Sequence, residues 1–290
     1  MTTNPPDPET LVTRTLDLAS LPDIAVRAMQ LINDPLSSAS DLGELISEDP
    51  ALTARLLRIA NSAFYGFPSR IDTVSRAITV IGTLELLDLV LAMTVMERFA
   101  GLPVELVDME SFWSHSLHAA LLARLLATRK RAPEREHYFI AGLLHDIGTL
   151  VLCLQLPEPM REILEQAARE NRPLHEIERE RLGYHHGEVG AALLRHWQLP
   201  ETLAQTARWH HEPGGTEAFP MEIASVHLAD IFACIDDHPA THIGRIPPLH
   251  SPCWDRMGLS LGALDELMEE AARQFEDVRH HLLPSRGHAA

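Results

Sequence analysis

Only three cysteines, Cys153, Cys234 and Cys253, stand in 290 residues. Their odd number and wide spacing exclude a disulfide framework and a cysteine-based zinc site, and they fit a reducing, cytoplasmic compartment. Basic residues are scarce as well: 24 Lys and Arg face 41 Asp and Glu, a formal charge of −17. A chain this acidic has little with which to neutralise a nucleic-acid backbone or adhere to an anionic membrane surface, so neither partner is expected. The opening MTTNPPDPETLVTRTL lacks the basic-then-apolar plan of a signal peptide. The most apolar stretch, Ala77 to Met96, is interrupted by Gly82, Glu85 and Asp88, which marks a buried helical region and not a membrane span. No segment alternates persuasively as a strand, and no internal repeat is visible.

What is present is ordinary globular material, 46% hydrophobic and 22% charged, long enough for a sizeable core. Almost every segment has helical periodicity, and the expected fold class is all-α. In Asp49-Pro50-Ala51-Leu52, Asp49 is placed to cap a helix whose first position is Pro50, and Leu52, Leu56, Ile59 and Ala63 recur as one apolar stripe. Gly82 separates a helix ending near Ile81 from one running from Leu84 to about Phe99. After the break Gly101-Leu102-Pro103, helices are expected near 110–129, 137–154, 159–170, 174–182, 187–197, 200–211 and 221–235. Residues 1–14 are expected to form a flexible tail, and residues 238–260, rich in Pro, Gly and His, a loop-dominated link. A last helix over 263–283 places Leu264, Leu267, Met268, Ala271, Phe275, Val278 and Leu282 on one side and acidic, solvated residues on the other.

The 17 histidines are the feature that needs explaining. In Gly142-Leu143-Leu144-His145-Asp146-Ile147-Gly148 an apolar run carries a His–Asp pair into the interior, where an unpaired carboxylate costs several kcal/mol. Further imidazoles stand at His115, early in a long helix, at His186, at a helix start, and at His210-His211, at a helix end. Asp230 is a carboxylate inside an otherwise apolar helix. Imidazole and carboxylate donors in this mixture suit Fe, Mn, Zn or Mg, singly or as a pair. Two ions bridged by a carboxylate would hold a hydroxide for attack on a phosphoester. The alternatives remain open from the residues alone: a hydrogen-bonded His145–Asp146 pair, imidazoles at 210 and 211 complementing a helix dipole, and Asp230 capping a helix or pairing with an Arg. His118 reads as a core or supporting residue and His185 as a neighbour of His186. His137, His175, His196, His227, His238, His242, His250 and His288 carry no site argument, and Asn61 and Ser62 read as helix-end caps.

The order His … His-Asp … His … His-His … Asp resembles the HD superfamily of helical metal-dependent phosphohydrolases. That resemblance puts His115, His145, Asp146, His186, His210, His211 and Asp230 on metal-ligand positions. Leu21-Pro22, the run Asp49-Pro50-Ala51-Leu52 to Ala60-Asn61-Ser62-Ala63-Phe64-Tyr65-Gly66, and Ala77-Ile78 to Ile81-Gly82 are similar to the HDOD branch. So are Gly142 to Gly148, Glu188-Val189-Gly190-Ala191 to Trp197-Gln198-Leu199-Pro200, and His210-His211-Glu212-Pro213. The likeness covers roughly residues 18 to 235. It implies an HDOD domain over 15–235, made of an N-terminal helical lobe (15–100) packed on an HD-like lobe (101–235), followed by a loop and C-terminal helix (236–290). It also implies a bacterial signal-transduction role through contacts with signalling proteins, without catalysis, and leaves room for a homodimer and a nucleotide ligand. The alternative is a metal-dependent phosphohydrolase acting on a nucleotide or cyclic dinucleotide. Against turnover, the chain departs from the related HD-GYP phosphodiesterases: Thr149 stands where they have Lys, Ser111 where they have Glu, and Pro213-Gly214-Gly215 in place of their Gly-Tyr-Pro segment.

Overall fold

Helix starts in this chain are written in capping chemistry. The Asp49 carboxylate accepts the N–H groups of Ala51 and Leu52 at 2.9 and 3.0 Å, with Pro50 at the first position of the helix that follows. Ser38 and Asp41 satisfy each other's backbone N–H groups reciprocally, and Thr73, Asp108 and Ser260 each accept one N–H of the first turn. A computed structural model describes residues 5–19, 21–100, 106–236 and 246–283. In chain order its helices are α1 (Pro8–Ala19), α2 (Asp23–Asn33), α3 (Ala39–Ser47), α4 (Pro50–Ala60), α5 (Val74–Ile81) and α6 (Thr83–Ala100). There follow α7 (Met109–Arg129), α8 (Arg135–Leu144), α9 (Ile147–Gln155), α10 (Pro157–Glu170), α11 (Leu174–Leu182), α12 (His186–His196) and α13 (Glu201–Trp209). Last come α14 (Pro220–Asp236), α15 (Ser251–Met257) and α16 (Leu261–Leu282). Among the described residues there is no strand, and the fold is all-α.

Two helices are buried along most of their length and are wrapped by the others. In α6, Leu86, Leu89, Val90, Ala92, Met93 and Met96 are buried. In α7, Trp113, Leu117, Leu121, Leu122 and Leu126 are buried. Helix α7 packs against α8, α14 and α16, while α12 packs against α9, α13 and α1. Helix α16 lays Leu267, Ala271, Val278 and Leu282 against α7 and α4. Its other face is exposed, except that Asp277 accepts the Ala63 backbone N–H at 2.6 Å. The stretch 135–155 is long and apolar enough to cross a membrane by composition, yet 83% of its 18-residue apolar window lies inside the protein.

Four expectations change. Residues 8–19 form a helix and not part of a tail: Asp7 accepts the Thr10 N–H at 2.8 Å, Pro8 takes the first position, and Leu11 and Val12 are buried. The single helix expected over 137–154 is two, broken at His145-Asp146. Part of the 238–260 link is the helix α15, which buries Cys253 and Met257. Ala63 leaves the apolar stripe because α4 ends at Ala60; Asn61 turns its amide to Leu57 O and Ile71 O instead. The Gly101-Leu102-Pro103 break, the first part of the link with His238 and His242, and His288 lie outside the described residues.

Candidate metal centre

The break at His145-Asp146 has a packing cause. A Cβ on Gly142 would sit 2.7 Å from Ala120 Cα, and one on Gly148 would sit 2.0 Å from His186 O and 2.5 Å from Gly190 N. Glycine therefore lets α8 lie on α7 and α9 lie on α12 at backbone contact. The helix breaks between two such contacts with different neighbours, and the break turns His145 and Asp146 inward. His115 comes from α7, His186 from the first position of α12, His210 and His211 from the end of α13, and Asp230 from α14.

All seven predicted residues meet at one place. Asp146 Oδ1 lies 3.2 Å from His186 Nε2 and 3.4 Å from His210 Nε2, and Asp146 Oδ2 lies 3.3 Å from His145 Nε2. Asp230 Oδ1 is 3.2 Å from His115 Nε2 and 3.8 Å from His145 Nε2, and Asp230 Oδ2 is 3.7 Å from His211 Nδ1. His145 and His210 are fully buried, and Asp230 is 3% exposed.

The surrounding hydrogen bonds fix which nitrogens face inward. His145 Nδ1 donates to Gly142 O at 2.7 Å, and His210 Nδ1 donates to Ala207 O at 2.8 Å. A carbonyl can only accept, so each ring turns its Nε2 toward the centre. His186 Nδ1 donates to the fully buried Glu178 carboxylate at 2.6 Å, the carboxylate–imidazole arrangement that supports metal-binding histidines. Yet His145 Nε2, Asp146 Oδ1, His210 Nε2, His211 Nδ1 and Asp230 Oδ2, buried and close to one another, make no well-formed hydrogen bond. Five such atoms aimed at one another are costly unless a cation lies among them.

Charge follows the same pattern. Burial works against the carboxylates of Asp146 and Asp230, but the imidazoles beside them outweigh it and hold both pKa values well below the usual range. Burial also opposes the imidazolium of His145, yet Asp146 and Asp230 push its pKa well up. In the same way Glu178 and Asp146 overcome burial to raise His186 to about 10. Burial and neighbouring imidazoles push His210 and His211 down, leaving both rings neutral. The ionised carboxylates and the neutral rings of His210 and His211 are in the protonation states a metal ion requires of its ligands, whereas His145 and His186 would each give up a proton on binding one.

Several supporting residues carry no clear signal in the sequence. His175, without a site argument there, stacks its ring on His211 at 4.1 Å, and burial pushes its pKa down to about 3. Glu178 lies in α11, a helix rich in Glu and Arg. His227 donates from Nδ1 to His210 O at 2.7 Å and accepts the His250 N–H on its other nitrogen. His185 caps α12 by accepting the Gly187 N–H, while His118 packs its ring near Phe275.

A cavity of about 240 Å³ opens onto this cluster, reaching His115, Asp146, His186, His211 and Asp230. Its walls include Leu106, Val107, Phe112, Leu174, Ile246 and Pro247, with Asp108, Ser111 and Thr149 among the polar groups. Among the described residues lining it there is no Lys or Arg.

Comparison with known proteins gives a consistent result. A family profile for the HDOD domain matches residues 18–213. An uncharacterized protein of Treponema pallidum (strain Nichols) is 31% identical over 220 residues, 74% of this chain and 42% of that protein. The chain thus spans less than half the length of that curated relative. The crystal structure of an HDOD domain protein of unknown function from Geobacter sulfurreducens is similar with a TM-score of 0.77 at 24% identity, covering 95% of this chain and 98% of that one. A candidate phosphohydrolase from Shewanella amazonensis SB2B is similar with a TM-score of 0.73 at 25% identity, covering 94% and 98%.

Proposed function

Because the chain belongs to the HDOD domain family, we propose that it is a cytoplasmic signal-transduction module that holds divalent metal in its histidine–aspartate cluster and acts through contacts with other signalling proteins. The observation that carries the metal reading is the set of five buried ligand atoms without a well-formed hydrogen bond. Asp146, His186, His210 and His211 form one donor group, His115 and His145 form another with the same Asp146, and Asp230 forms a third with His145 and His210. Imidazoles outnumber carboxylates, a donor set that favours Zn, Fe or Mn over Mg. The three cysteines are all buried and none is joined to another in a disulfide, which accords with a reducing compartment.

Bound metal in such a site supplies fixed positive charge and, with an open position, an activated water. The chain's own residues do the rest: Glu178 orients His186, backbone carbonyls orient His145 and His210, and the apolar walls limit water around them. A signalling role without turnover is favoured by Ser111 and Thr149, which line the cavity where the related HD-GYP phosphodiesterases have a Glu and a Lys. The cavity's access to Asp146 and Asp230 supports a second reading, a phosphohydrolase acting on a nucleotide or cyclic dinucleotide.

Protein purified without chelator is expected to carry between one and two equivalents of Fe, Mn or Zn by elemental analysis. Asp146→Ala should lower both metal content and melting temperature. No metal, and no response to added metal, overturns both readings. Turnover of cyclic dinucleotides or mononucleotides by the loaded protein, lost in Asp146→Ala, would replace the first reading by the second. Pull-downs with and without metal test the contact role directly.

A further inference from the structure

Helix α14 carries Asp230 and, one turn later, Cys234, a spacing that puts both side chains on one face. Cys234 Sγ lies 3.6 Å from Asp230 Oδ1, the same oxygen that lies 3.2 Å from His115 Nε2. The ligand atoms of His115, Asp230 and Cys234 are all within 4.8 Å of one another. Cys234 is buried, yet it lines the cavity over the site. Asp230, almost wholly buried, has its second oxygen without a hydrogen-bond partner and facing the cluster. Neither of the other cysteines lines that cavity, and burial pushes the Cys253 thiol up to about 11 and the Cys153 thiol up to about 12.

We propose that Cys234 is a thiolate ligand, completing with His115 and Asp230 a nitrogen–oxygen–sulfur position for a divalent transition-metal ion on the α7–α14 side of the site. The inference rests on the metal reading above. On binding, the S–H bond breaks, its proton leaves to solvent, and the sulfur lone pair forms the bond to the ion. Nothing is oxidised or reduced, and one proton is released per ion bound at this position. A thiolate donor shifts preference toward Zn and Fe and away from Mn and Mg, which the remaining imidazoles and carboxylates alone would not do as strongly. The competing arrangement is a thiol that only donates a hydrogen bond to Asp230 Oδ1 and leaves the ion to the other ligands.

Cobalt(II) distinguishes the two. The full chain, stripped of metal and loaded with cobalt, should show visible d–d bands and a near-ultraviolet thiolate-to-cobalt charge-transfer band. Cys234→Ser should lose the charge-transfer band while keeping d–d bands from the histidine-rich position, and Cys153→Ser should keep both. A wild-type protein that takes up cobalt with no charge-transfer band overturns the proposal, as does a band that survives in Cys234→Ser. A wild-type protein that takes up no cobalt overturns the metal reading itself, a different and recognisable result. Zinc X-ray absorption on the wild type gives a check independent of any variant. A sulfur scatterer at about 2.3 Å supports the thiolate, and a shell of nitrogen and oxygen alone overturns it.

Discussion

Gly148→Ala is the smallest change that tests how the fold builds the site. A Cβ at this position would fall 2.0 Å from His186 O and 2.5 Å from Gly190 N, both backbone atoms of α12. Real Cβ contacts essentially never fall below 3.0 Å, so α9 and α12 must move apart and no side-chain rotation relieves the clash. The movement needed is about 1 Å, and overpacking of this kind costs about 1–3 kcal/mol. For a chain of this length that corresponds to a fall in melting temperature of roughly 2–5 °C. The displaced atom belongs to His186 itself, whose Nε2 stands 3.2 Å from Asp146 Oδ1, so metal binding should weaken together with stability. Thermal melts and metal titration of the same preparation read both effects. Gly262→Ala, in α16 with open space around the new Cβ, is the control. It should be neutral or stabilising by up to about 1 kcal/mol from helix propensity alone. A Gly148→Ala protein that melts like wild type and binds metal equally well would refute the backbone-contact account of the helix break.

Two further outcomes follow from the ligand supports. Glu178→Gln removes the charge from the carboxylate that holds His186, and metal affinity should fall roughly 10–100-fold with helical content unchanged; unaltered affinity in a titration would remove Glu178 from the site. In metal-stripped protein His186 has its pKa raised from 6.5 to about 10, burial being outweighed by Glu178 and Asp146. A raised imidazole stabilises fully below its unfolded pKa, and that contribution is lost as pH rises through the folded value. Melting temperature of the stripped protein should therefore decline between about pH 6.5 and 10, while loaded protein, with an ion in place of the proton, should decline less. Parallel profiles with and without chelator would contradict this.

Much of the site is readable in the sequence because ligand-type residues in an apolar context have few other uses. His115, His186, His210, His211 and Asp230 all reach the His145–Asp146 pair. The break within 137–154 is less readable: periodicity continues through it, and the glycines that cause it act on α7 and α12, far away in the chain. Glu178 and His175 escape because their burial depends on where α11 falls against the cluster, which no local pattern records. The helix at 8–19 is a different kind of miss, since Asp7 and Pro8 form a legible start signal that a proline-rich opening obscures. Cys234, four positions after Asp230, is visible in the sequence but means little until the cavity beside it is seen.

The ligand-type residues run from position 115 to position 230 and come from separate helices and helix ends. Neither the Asp146–His186–His210–His211 group nor the His115–His145–Asp146 group lies within a short peptide, so an ion bound there would have little to organise until α7, the α8–α9 break, α12 and α13 have docked. On the proposed reading, bound metal would then reward folding only at its last step. It cannot seed the process, and its main kinetic effect should be on how slowly the finished protein comes apart. The age of a loaded molecule, rather than the speed of its birth, is what such a centre would govern.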